Sequence, residues 1–340
     1  MSAFLPPLRF RKAIVAIAII PVTIFLTSFT AFSEEASLSG ELSIVFENDV
    51  FFRSDRDYTS GIALFWVPTG KPAPGWMMRV ARWMPWFPED GIIRHGYAVG
   101  QNMYTPSNIK LPDPPLDDRP YAGWLYLTRG IAVETDRQFD IFAITVGVVG
   151  PASYAEQTQK FIHELINTDE PQGWDTQLRN ELGFYMTYQR TWLELVKKTL
   201  IGLDFDLAPH LGGTLGNVYT YANGGFTLRF GKDLPHDSGP PRVQPSVLGS
   251  VFFEPTDRFT WYLFVSPEGR AVARNIFLDG NTFKDSRSVN IEPLVGDLQW
   301  GIVLTWHRYR LSFTDVFRTR EFETQAYSEH YGSICFSIGM

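Results

Sequence analysis

From Glu41 onward the chain breaks into segments of about ten residues, the length of a membrane-barrel strand, in which apolar side chains recur at every second position. The last segment is the clearest: Ile334, Phe336, Ile338 and Met340 alternate with Ser333, Cys335, Ser337 and Gly339, so one face is apolar and the other small or polar. Leu42, Ile44 and Phe46 alternate in the first segment, and Ile62, Leu64 and Trp66 in the second. Further segments fall near 95–103, 121–135, 138–150, 176–192, 197–211, 217–231, 259–275, 292–306 and 308–318. Together they predict twelve antiparallel strands, an even number as closure of a bacterial barrel requires. Tight joins are expected around Leu193–Lys198 and after His307. The long Pro-rich or charged stretches at 68–94, 104–120, 151–174, 232–258 and 276–291 are expected to be mostly extracellular loops, although VLGSVFF within 246–258 would extend a strand. The pattern predicts an all-β, twelve-stranded transmembrane β-barrel; a soluble β-sandwich is the competing architecture.

One stretch breaks the two-residue period. Ala155 to Ile166 is rich in Gln, Glu, Lys and Leu, lacks Gly and Pro, and repeats Phe161 with Leu165 and Ile162 with Ile166 at helical spacing. It predicts a short helix in an extracellular loop. Gln159 and His163, four apart, share one of its faces. A neutral imidazole there can take a proton from water near pH 7; a surface histidine on a connecting helix is the plainer reading.

Composition narrows the class. Arg9, Arg11 and Lys12 precede an apolar run from Ala13 to Phe32, and Ala31 and Ser33 form a small-x-small cleavage site, so residues 1–33 read as a signal peptide and 34–340 as a single barrel domain. An uncleaved anchor is the alternative, since the run is long enough to span a bilayer. Removing the leader would take the net charge from -7 to -10 and leave no basic footprint for nucleic acid. Cys335 is the only cysteine, so no internal disulfide supports the fold. The mean hydropathy is -0.10 and nothing after the leader has the length of a membrane helix, which excludes a helical membrane protein but not a barrel. Aromatic residues at 15% suit interfacial girdles, and Tyr121, Trp124 and Tyr126 are expected there.

Candidate chemistry gathers at the strand ends. Asn48 and Asp49 close the first strand, and as neighbours they can serve one site only if the strand ends or bulges there. Asp49, Asp55 and Asp57 crowd beside Thr59 and Ser60, a set of hard oxygens that suits Ca²⁺ or else builds a hairpin loop. Thr59 and Gly61 alternate with Ile62, Leu64 and Trp66, which predicts that Thr59 points away from lipid. Gln101, Tyr104 and Thr105 offer hydrogen bonds near another strand end, and Lys110 and Arg119 offer charge for an anionic substrate. No Gly-x-Ser-x-Gly elbow is present, so a water activated by His163 is preferred to a serine nucleophile.

END at 47–49, DRDYTSG at 55–61, GQNMYTPS at 100–107, DRPYAGW at 118–124, GVVGPAS at 147–153, QKFIH at 159–163 and GWDTQL at 173–178 resemble, in order, the outer-membrane lipid A 3′-O-deacylases of the LpxR type. The resemblance is densest through residue 190, and beyond it the match is mainly strand rhythm. It implies a Ca²⁺-dependent hydrolase that releases the 3′-acyloxyacyl group of lipid A in the outer leaflet, at a site between the barrel wall and a loop helix. It further implies Asn48 and Asp49 as the essential pair, with Thr59, Gln159 and the catalytic His163. The essential acid falls on Asp169 by ungapped counting, with Glu170 adjacent. The substrate-binding lysine of the family has no clean counterpart; Lys110 is nearby, with Tyr104 as a second substrate contact. The partners expected are lipopolysaccharide and the bacterial outer membrane, with the barrel as a monomer. A passive channel or an outer-membrane phospholipase are the alternatives.

Overall fold

The structure, a computed structural model, describes residues 39–48, 58–70, 72–82, 88, 91–235, 237, 239–240, 252–253 and 255–340. The expected leader lies outside the described residues. The strands are β1 (Gly40–Asn48), β2 (Tyr58–Pro68), β3 (Ile92–Tyr104), β4 (Ala122–Glu134), β5 (Gln138–Val149), β6 (Glu181–Trp192), β7 (Val196–Leu200), β8 (Leu203–Gly216), β9 (Tyr219–Lys232), β10 (Thr256–Asn275), β11 (Leu294–His307), β12 (Tyr309–Arg318) and β13 (Glu329–Gly339). Each pairs antiparallel with its neighbours, β1 pairs with β13, and β6 and β7 both pair with β8, so the sheet closes. With β6 and β7 lying end to end as one wall strand, the barrel has twelve. Closure matters physically, because an unpaired backbone group facing hydrocarbon costs several kcal/mol. Among the described residues no helix is long and apolar enough to cross a membrane.

The alternation in sequence becomes the two faces of the wall. In β1, Glu41, Ser43, Val45 and Glu47 face inward and are buried, whereas Ile44 and Phe46 face outward and are part exposed. The inward face is a packed interior. Val45, Phe65, Phe139 and Ile141 form one apolar cluster, and Trp124, Tyr126, Tyr185 and Tyr219 belong to another. Buried ion pairs share this interior: Asp297 takes Arg270 at 3.0 Å and Arg318 at 2.8 Å, and Arg119 bonds both Glu321 at 2.6 Å and Glu329 at 2.8 Å. Trp124 and Tyr126 therefore do not form a girdle. They alternate with outward Leu125 and Leu127 and point into the barrel, while the Tyr121 ring lies 5.0 Å from that of Trp174 in a tilted contact.

Three other expectations change. The break at Leu193–Leu195 is not a turn between wall strands: Leu193 is buried in the inner cluster, Glu194 takes a left-handed φ of 48°, and β7 carries the strand on. The true turn is Ile201–Gly202, with φ of 54° and 76°, the two positive values that a two-residue hairpin favours. The stretches 68–94 and 232–258 leave the barrel at the end where Gly40 and Met340 bond each other (2.7 Å and 3.1 Å), opposite the loop helix, so they are not extracellular loops. Within the second of these, β10 begins only at Thr256, and Phe252 packs against Phe139 inside the barrel; residues 246–251 lie outside the described residues.

Candidate active site

The site is assembled on the outer face of the wall. β1 is described as far as Asn48, and the neighbouring Asp49 lies outside the described residues. Asn48 shares the outward parity of Ile44 and Phe46 yet is buried. The hydrogen-bonded register places Asn48 beside Gly332 of β13 on one side and Ser60 of β2 on the other; Ser60 in turn faces Met103 of β3, and Met103 faces Gly123 of β4. These residues form one row at one height. With strands about 4.8 Å apart, Met103 lies roughly 10 Å from Asn48 along it.

The loop helix Ala155–Ile166 lands on the far end of that row. A Cβ on Gly123 would come within 2.1 Å of Ser153 Oγ and 2.4 Å of Ala155 Cβ, so the absence of a side chain is what lets the helix N-terminus touch the wall. Gln101 Nε2 donates to the Ser153 carbonyl at 2.6 Å and pins the same turn. Ala155 and Ile162 then pack with Met103, Tyr121 and Trp174. Asn167, with φ of 52°, ends the helix, its N–H reaching the Glu164 carbonyl while Thr168 N–H reaches that of His163. Ile162 thus faces the wall, and Phe161, 63% exposed, faces away from it.

Gln159 and His163 lie on the packed face, as their spacing predicts, and both are buried. His163 Nδ1 lies 2.5 Å from the Asp169 carbonyl. A carbonyl only accepts, so Nδ1 carries the proton and, in the neutral ring, Nε2 holds the lone pair. Trp174 Nε1–H donates to Gln159 Oε1 at 2.8 Å. An indole only donates, which fixes the amide oxygen on Trp174 and turns Nε2 elsewhere; that nitrogen is buried and has no hydrogen-bond partner among the described residues. A buried donor left unpaired costs about 1–3 kcal/mol, a cost that a bound group can recover.

Asp169 and Glu170 follow the helix. Asp169 pairs with Lys110 at 2.7 Å and Glu170 with Lys160 at 3.6 Å, both pairs well exposed. Lys110, which had no clean place in the sequence motifs, is thus tied to the residue that holds the His163 ring. Asp49, Asp55 and Asp57 lie outside the described residues. The backbone at Thr59 is described: the β2–β3 register slips between Tyr58 and Ser60, so Thr59 is the extra residue of a bulge. Among the described residues no three His, Cys, Asp or Glu groups are gathered to hold a metal.

Two candidates belong elsewhere. Tyr104 points into the barrel, where its hydroxyl meets that of Tyr219 at 2.8 Å and its ring stacks on Phe277 at 4.1 Å, so it is not on the outer face with His163. Arg119 is buried and neutralised by Glu321 and Glu329. Trp174 and Gly123 lie within the motifs, yet motif and spacing alone give them no role. The signal was available: a Gly in a strand interior marks a close approach of another element.

The family described as outer membrane protein LpxR matches residues 19–340. Among solved structures, LpxR from Salmonella typhimurium matches at 19% identity over 88% of this chain and all of that one, with a TM-score of 0.73. The β domain of the Bordetella autotransporter BrkA matches at 8% identity over 89% of this chain and all of that one, with a TM-score of 0.44. A comparison with curated proteins gives no match.

Proposed function

The chain belongs to the LpxR family of outer-membrane β-barrel proteins, and from that premise we propose that it is a calcium-dependent lipid A 3′-O-deacylase that hydrolyses the ester of the 3′-acyloxyacyl group in the outer leaflet. The observation that carries the reading is His163, buried between helix and wall, its Nδ1–H committed to the Asp169 carbonyl and its Nε2 left as the base. In the reaction His163 takes a proton from water as the water attacks the ester carbonyl. The unpaired Gln159 Nε2–H and the Asn48 amide supply donors to the water or to the developing oxyanion. Trp174 holds Gln159 for that task. Lys110, at the helix end, supplies positive charge to a lipid A phosphate.

Asp49, an oxygen of Thr59, and Asp169 or Glu170 would hold Ca²⁺. These donors are all hard oxygens, as that ion prefers. Among the described residues the Asp169 and Glu170 carboxylates pair with exposed lysines, pairs worth about 0–1 kcal/mol and readily exchanged for a divalent cation. Bound there, Ca²⁺ would supply Lewis-acid polarisation of the ester carbonyl.

An outer-wall site suits a substrate whose acyl chains stay in the membrane. The channel reading is weakened by the buried apolar clusters and ion pairs that occupy the barrel interior. Mass spectrometry of lipid A from cells with and without the chain tests the proposal: the 3′-acyloxyacyl mass should be missing only where the chain is made, and a chelator in metal-free detergent should stop the purified protein. Intact lipid A together with released lysophospholipid would instead establish a phospholipase.

A further inference from the structure

The row that carries Asn48 does not end there. On the side away from the helix it continues through Gly332 to Asp315 of β12 and Trp300 of β11. Below these residues the outer wall holds a groove of about 740 Å³ across β10–β13, whose outward side chains are Leu263, Val265, Ile302, Phe313 and Ile334. Its upper rim is polar. Asp315 lines it and takes His330 Nε2 at 2.5 Å, with the Trp300 ring 5.9 Å from the imidazole. A carboxylate on a lipid-facing wall is costly unless it lies near the headgroups and has donors to accept from.

We propose that this groove is an acyl-chain subsite of the lipid whose ester lies at Asn48, and that Asp315 accepts a hydrogen bond from a hydroxyl or amide N–H near the head end of the chain. The juxtaposition carries it: an apolar trough runs down the wall, a carboxylate sits at its top, and Asn48 stands one strand beyond Gly332. A chain in the groove leads directly to an ester on the Asn48 row, while the loop helix approaches the same row from the other side. The ester-linked chains of simple diacyl phospholipids offer only acceptors at their head end, whereas the hydroxylated, amide-linked chains of lipid A carry O–H and N–H donors that a carboxylate can accept from. The proposal rests on the deacylase reading for the identity of the lipid.

The test reads binding rather than turnover, in the mature chain with His163→Ala so that the lipid is not consumed. Lipid retained in detergent is counted by native mass spectrometry, with lipid A or phosphatidylglycerol supplied. Ile302→Trp fills the groove; Leu211→Trp puts the same ring on the lipid-facing wall at β8, where Leu211 is exposed. Both variants are first shown to be folded by heat-modifiable migration. Lipid A retention should fall about fivefold or more with Ile302→Trp and stay unchanged with Leu211→Trp, and phosphatidylglycerol should be retained at a similarly low level throughout. Equal retention by the two Trp variants, or equal retention of the two lipids, would overturn the subsite. A chain that holds lipid A through the groove but releases no acyl group from it when His163 is present leaves the subsite standing and removes the hydrolase reading.

Discussion

At the scale of single residues, the site depends on two orientations fixed by donor chemistry. The Asp169 carbonyl sets the His163 tautomer, and the Trp174 indole sets the Gln159 amide. Trp174→Phe keeps the ring packed against Tyr121 but removes the donor, so Gln159 can rotate its nitrogen away. Turnover of lipid A should fall about tenfold with little change in KM, because the lost interaction orients groups for reaction rather than binding substrate. A rise in KM at constant kcat would point to a structural role instead. The shared face of Gln159 and His163 was legible in the sequence because a helix has a fixed period. Tyr104 was not, since a hydroxyl near a strand end says nothing about which face it is on until register is known. For Trp124 and Tyr126 the clue was present: they alternate with Leu125 and Leu127, and the more uniformly apolar set faces lipid.

At the scale of elements, the loop helix is held against the wall and Gly123 is its seat. Gly123→Leu should push the helix off β4, cutting deacylation by about a hundredfold while the barrel still shows heat-modifiable migration, because a displacement of an ångström at a reacting group has that effect. Retained activity would mean that the helix is not positioned there. The loop after β12 supplies a second prediction. Burial alone would raise the Glu321 carboxyl, but Arg318, Arg119 and Arg270 overcome it and hold the group down at about 2. A depressed pKa contributes stability above the ordinary value of 4.5, and that contribution is lost as pH falls from there through about 2. Glu321→Gln should therefore lower the stability at pH 7, by less than the about 3–5 kcal/mol of a fully orphaned buried charge because Arg119 keeps Glu329 and Arg318 keeps Asp297, and should flatten the loss below pH 4.5. Parallel acid titrations of the two proteins check both effects. The helix over 155–166 could be read from composition and spacing. The end of the barrel that the loops 68–94 and 232–258 occupy was legible too, because 68–94 and 104–120 flank one strand and must leave at opposite ends; length and proline content, which carry no direction, pointed the other way.

At the scale of the whole molecule, the closed wall does two jobs: it satisfies every ladder in the membrane, and it brings the opening strand beside the last one so that Asn48 and Gly332 share a row with Asp315. Closure was legible from twelve alternating segments, whereas the packed interior was not, since inward polar residues suit a water-filled lumen as well as a network of ion pairs. Planar bilayers containing the protein should show no stable conductance, and a steady open channel would contradict the filled interior. The central claim is that a histidine on the loop helix removes a proton from the water that cleaves the ester. It is tested most directly by incubating purified wild type and His163→Ala with lipid A and weighing the products. The wild type should release the 3′-acyloxyacyl group, and the folded variant should be slower by about a hundredfold or more; equal release by the two would contradict the account.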